Sequence, residues 1–128
     1  MTEPMEAILL EVDRLGAVVR DERPWGAFDR YTLNEPTTVK VITVAPGQRL
    51  SLQRHEHRDE LWVALDPGLV FEIDGVRTEP AVGDRVLIRA GQTHRLSSSG
   101  PVARIMEIAF GYFDEDDIER LEDSYGRS

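Results

Sequence analysis

The stretch Leu50 to Trp62, LSLQRHEHRDELW, places two of the chain's three histidines, His55 and His57, one residue apart, with Glu60 close behind. Two neutral imidazoles and a carboxylate are a mixed nitrogen and oxygen donor set for a divalent ion. The remaining histidine, His94, would complete a set that suits Zn, Mn, Fe, Co or Ni. His94 follows a strand-like run and an Ala90-Gly91 turn, a position from which a side chain is held at the mouth of a β unit. The same HEHRDE string also reads as a solvated charged loop, so spacing by itself leaves both a metal site and a surface loop open.

Alternate residues of an extended segment share a face, which sets Arg49, Ser51, Gln53, His55 and His57 on one side and Leu50 and Leu52 on the other. A polar column of this kind turned inward needs partners, and a metal ion with its ligands supplies them. Glu60 has the opposite parity, so a turn or bulge at Arg58-Asp59 is required to bring it round.

The elements around these residues are short β-branched or alternating runs broken by turn residues, the pattern of an all-β sandwich or barrel. TTVKVITVAPGQ predicts a strand ending at Pro46-Gly47, and LVFEIDGVRTE a hairpin around Asp74-Gly75. RVLIRAGQTH follows a turn at Gly83-Asp84, and VARIMEIAF is the last strand. Ahead of them, Met5, Ile8, Leu9, Val12 and Leu15 have helical spacing, with Thr2 as N-cap and Gly16 as stop. Behind them, Ile118 and Leu121 in the acidic stretch Asp114 to Asp123 predict a short C-terminal helix. The expected organisation is an N-terminal helical segment over 1–21, a β-barrel over 22–113 and an acidic C-terminal helix and tail over 114–128.

At 128 residues the chain has the size of one domain. A net charge of −9, from 24 acidic against 15 basic side chains, argues against a nucleic-acid partner. The acids gather near the ends and most cations lie between Val39 and Arg104, which suits a small anionic ligand. Cysteine is absent, which excludes disulfides and thiolate metal sites. No signal peptide and no membrane span is read from the sequence, so a soluble cytoplasmic protein is expected.

Gly47, His55, His57 and Glu60, followed by Gly83, Gly91 and His94, resemble the two motifs of the cupin superfamily. Arg89 stands where the second motif usually has proline, and Ser98 where it often ends in asparagine. ERPWGAF, VKVITVAPGQRLSLQRHEHRDELW, AGQTHRL and DEDDIERLEDSYGR resemble more specifically the type II phosphomannose isomerase cupin. That cupin is the C-terminal module of bifunctional mannose-1-phosphate guanylyltransferase/mannose-6-phosphate isomerases, and the similarity runs from Glu22 to Arg127.

The resemblance implies a cupin-type double-stranded β-helix, a jelly-roll barrel, pairing as a homodimer through sheet edges. It implies one divalent metal ion on His55, His57, Glu60 and His94, and isomerisation of mannose 6-phosphate and fructose 6-phosphate in carbohydrate metabolism. Nucleotide-sugar synthesis is not expected of this chain. Such a reaction needs a base, for which Glu60 and Glu107 are the candidates with Lys40 beside them, and a cationic pocket for the phosphate. Arg49, on the histidine face, comes first for that pocket, with Gln53, Arg58 and Arg95 next and Arg127 carried by the resemblance. Thr38 and Val41 occupy places where family members often carry basic residues, Leu61 replaces a frequent histidine, and Ala109 a common glutamine. Two alternatives therefore stand beside the isomerase: another metal-binding cupin, an oxygenase or other isomerase, and a non-catalytic sugar-binding module.

Overall fold

The computed structural model describes residues 13–127. The chain divides into two units between Asn34 and Glu35. In the first, a turn over residues 14–17 leads into an antiparallel hairpin of β1 (Val19–Arg23) and β2 (Gly26–Arg30). Pro24 and Trp25 make its two-residue turn, where the fixed φ of proline and its missing donor do no harm. Of the expected N-terminal helix, positions up to 12 lie outside the described residues, and Arg14 to Gly16 form part of the turn.

The second unit contains β3 (Thr37–Val44), β4 (Leu52–Arg54), β5 (Glu60–Ala64), β6 (Leu69–Ile73), β7 (Val76–Thr78), β8 (Arg85–Ile88), β9 (His94–Ser98), β10 (Ala103–Phe110) and β11 (Glu119–Glu122). They form a four-stranded sheet in the order β3-β10-β5-β8 and a five-stranded sheet in the order β11-β4-β9-β6-β7. All pairs are antiparallel and most neighbours are distant in sequence, the arrangement of a double-stranded β-helix. β3 is β-branched at every position except Lys40, which favours a pleated strand. At the β6–β7 hairpin, Asp74 and Gly75 both take positive φ, 48° and 80°, as a two-residue type I′ turn requires.

The core lies between the sheets and consists of Val44, Trp62, Ala64, Leu69, Phe71, Ile88, Leu96, Ala103 and Ile105. Trp62 and Phe71 meet edge to face with centroids 5.3 Å apart. The period-two alternation that fills this core also positions the site. Along β10 the core face runs Ala103, Ile105, Glu107; along β5, Ala64, Trp62, Glu60; along β9, Leu96, His94; along β3, Val44, Ile42, Lys40. One end of the core face is apolar and the other carries titratable groups. Pairing aligns them, with Glu107 opposite both Lys40 and Trp62, and Gln53 opposite His94.

The expected C-terminal helix is corrected to a turn and a strand. Asp117 N bonds Asp114 O at 3.1 Å, and β11 then pairs with β4, with Glu119 opposite Arg54. A single short helix is marginal by itself, whereas the outer edge of β4 offers a row of backbone groups to pair. Arg54 and Arg95 add ion pairs to Glu119 and Glu122 at 2.8 and 3.3 Å. Among the described residues there is no helix, and so none long and apolar enough to cross a membrane.

Candidate metal centre

β4 ends at Arg54, and the chain turns at Glu56 and His57 before β5 begins at Glu60. Asp117 fixes this turn. Its carboxylate accepts from the backbone N of Glu56 and of His57, each at 2.9 Å, and its carbonyl lies 2.6 Å from His55 Nδ1. His55 therefore carries its proton on Nδ1 and presents the Nε2 lone pair to the interior. His94 does the same, with Nδ1 3.1 Å from Gln92 O.

The two Nε2 atoms converge on Glu60, 3.4 Å from Oε2 for His55 and 3.7 Å from Oε1 for His94. One ligand atom from each of the three residues lies within 4.8 Å of the others, and all three residues are buried. Burial disfavours the imidazolium, lowering the pKa of His55 and taking that of His94 down to about 4. Glu60 Oε1 and His94 Nε2 are buried with no hydrogen-bond partner. Such orphaned acceptors are costly in a dry interior. A cation between them would satisfy both, so the donor set fits a divalent metal.

His57 does not join this set. The turn sends its side chain to the surface, 80% exposed, with Glu56 Oε2 3.9 Å away. The expected alternation fails because the segment is extended only over Leu52–Arg54. Gln53 and His55 keep their shared face, while His57 lies beyond the strand in the turn held by Asp117.

A cavity of about 630 Å³ opens beside the cluster, lined by Lys40, Gln53, His55, Arg58, Glu107, Phe113 and Arg120 among others. Gln53 Oε1 accepts from Ser51 Oγ at 2.9 Å. Arg58 is buried and donates through Nε to Glu60 Oε2 at 3.0 Å, through Nη1 to Asp114 O at 3.1 Å and through Nη2 toward His55 Nε2 at 3.2 Å. The Phe113 ring has Lys40 Nζ 4.2 Å and Arg58 Cζ 4.4 Å from its centroid, so two cations pack on one aromatic ring. Burial, and then the nearby Glu60 carboxylate, push Glu107 up to about 7, with Trp62 Nε1 3.4 Å from its Oε1.

Lys40, Gln53, Arg58 and Glu107 thus meet at the histidine cluster, while three expected phosphate ligands lie elsewhere. Arg49 bonds Ser124 Oγ at 2.8 Å and lies 3.6 Å from Glu122. Arg95 is buried and ties β9 to Leu50 O and to the Glu122 carbonyl and carboxylate. Arg127 forks onto Asp123 at 3.0 and 3.1 Å. These three hold the C-terminal strand and tail in place. Phe113 and Arg120 were not anticipated, since neither lies in the histidine motifs; only their nearness to the acidic tail could have pointed to them.

A double-stranded β-helix with an inward His–Glu–His cluster at one end of its core defines a cupin. The sequence places it more narrowly: residues 14–123 match the model of the mannose-6-phosphate isomerase C-terminal family, and the chain belongs to that family. Alginate biosynthesis protein AlgA of Pseudomonas aeruginosa is 41% identical over 108 residues, which cover 83% of this chain and 22% of that protein. Mannose-1-phosphate guanylyltransferase ManC of Salmonella typhimurium is 39% identical over 107 residues, 82% of this chain and 22% of that protein. The chain therefore spans about a fifth of these curated relatives. Among solved structures, capsular polysaccharide assembling protein CapF of Staphylococcus aureus superposes with a TM-score of 0.62 at 17% identity, over 82% of this chain and 32% of that one. A protein with a double-stranded β-helix domain from Klebsiella pneumoniae gives 0.59 at 22% identity, over 71% and 78%.

These relatives overturn the expected activity. They are named for mannose-1-phosphate guanylyltransferase and for alginate and xanthan biosynthesis, so interconversion of mannose 6-phosphate and fructose 6-phosphate is not the function they support.

Proposed function

We propose that the chain is a metal-binding cupin that takes a phosphorylated hexose into the cavity beside His55, Glu60 and His94. The observation that carries this reading is the meeting in one cavity of three converging donors, two of them orphaned, with Lys40 and Arg58 on the Phe113 ring. A divalent ion, drawn from Zn, Mn, Fe, Co and Ni, would supply Lewis-acid polarisation of a sugar oxygen.

His55, Glu60 and His94 would hold that ion, with Gln53 beside them on the same face. Lys40 and Arg58 would place the phosphate dianion, the guanidinium through paired donors and the ammonium as a point charge. Glu107, with a pKa near 7, is placed to give a proton to a ligand oxygen or take one from it. The relatives named as guanylyltransferases act on mannose 1-phosphate, which makes that ester the first ligand to try and sugar-phosphate metabolism in the cytoplasm the setting.

Calorimetric titration of the metal-loaded chain with mannose 1-phosphate and with mannose tests the proposal. The ester is expected to bind at least about tenfold more tightly than the free sugar, with most of that margin lost in Lys40→Met. Equal affinity for ester and free sugar would contradict it.

A further inference from the structure

His55 Nε2 has a single lone pair, because Nδ1 is committed to Asp117 O at 2.6 Å. Arg58 Nη2, 3.2 Å away, already takes that lone pair. A metal ion and Arg58 cannot both use it. Glu60 has no such conflict: Arg58 bonds Oε2, and Oε1 has no partner. Guanidinium and metal are therefore rivals at one atom, and a divalent charge beside Arg58 adds repulsion in a poorly screened interior.

The guanidinium has somewhere to go. It lies over Phe113 with its Cζ 4.4 Å from the ring centroid, and Lys40 Nζ lies 4.2 Å from the same centroid, both lining the cavity. Rotation over the ring keeps the stacking while turning paired N–H donors toward the cavity.

We infer that Arg58 is an exchanging cation, bonded to His55 and Glu60 in the metal-free chain and turned onto a dianion in the cavity once a metal ion takes the His55 lone pair. Metal and dianion then favour one another, since each stabilises the position of Arg58 that the other requires. The dianion half rests on the function proposed above, whereas the exchange at His55 does not.

The test uses the full chain stripped of metal. On titration with Zn²⁺ the Arg58 Nε–H resonance is expected to shift in step with metal uptake. Zn²⁺ uptake with that resonance unmoved overturns the exchange, and a chain that takes up no Zn²⁺ overturns the metal reading and the exchange together. Mn²⁺ is expected to bind Arg58→Met about tenfold more tightly than the native chain; equal or weaker binding overturns the competition. Sulfate, as a simple dianion, should tighten Mn²⁺ binding severalfold in the native chain and leave Arg58→Met unaffected. Equal tightening in both, or none in either, overturns the coupling while leaving the metal reading intact. If Arg58→Met does not fold, the native resonance, and native Mn²⁺ affinity with and without sulfate, decide the question.

Discussion

Lys40 and Glu107 stand directly opposite each other on β3 and β10, so the carboxyl that β10 turns toward the His55–Glu60–His94 cluster has an ammonium across the ladder. Burial and the neighbouring Glu60 carboxylate outweigh that ammonium and raise Glu107 to about 7. A carboxyl whose pKa is raised on folding stabilises the fold below its ordinary value near 4.5, and that contribution is lost as pH rises through 7. In metal-free protein, Glu107→Gln removes the penalty. It is expected to match the native chain near the low end of that window and to exceed its stability at pH 8 by on the order of 2 kcal/mol in urea denaturation. An equal difference at both pH values would contradict the assignment.

His94 gives the opposite slope. With its pKa held at about 4 against an ordinary 6.5, the unfolded chain binds a proton between those values that the folded chain does not, so stability falls as pH drops through the window. Nitrogen-15 shifts of the metal-free protein at about pH 5.5 should show a neutral His94 ring protonated on Nδ1. An imidazolium pattern at that pH would contradict the burial and tautomer described here.

Asp117 is a positioning residue. Its carboxylate holds the backbone of Glu56 and His57, and its carbonyl orients His55. Asp117→Ala removes two hydrogen bonds of roughly 1 kcal/mol each, so a loss of about 1–2 kcal/mol is expected. Metal affinity should fall with it, although no donor has been removed. Unchanged metal affinity with lowered stability would show that the turn has no influence on His55.

The strands were legible because β-branched runs and turn pairs announce themselves locally, whereas the grouping of His55, Glu60 and His94 was implied only by the resemblance to the cupin motifs, since their spacing alone also fits a charged loop. Asp74-Gly75 closes the β6–β7 hairpin, as that residue pair announces, whereas the turn that parity requires at Arg58-Asp59 falls instead at Glu56 and His57. The outward turn of His57 was not legible, because it depends on Asp117, which is 60 residues away in sequence. The tail was misread for a related reason. Ile118 and Leu121 fit a helix or a strand equally, and the free edge of β4 decides between them. Arg49, Arg95 and Arg127 could not be told from Arg58 by composition; only tertiary pairing with Glu122, Ser124 and Asp123 separates cations that anchor the tail from the one at the cluster.

A divalent ion is predicted to bind the buried trio of His55, Glu60 and His94 without His57, which faces solvent. Equilibrium dialysis against Mn²⁺, with bound metal counted by mass spectrometry, tests it on the native chain, His94→Ala and His57→Ala. One ion per native chain, retained in His57→Ala with affinity within about threefold and lost in His94→Ala, is the predicted result. Loss of the ion in His57→Ala with retention in His94→Ala would contradict it.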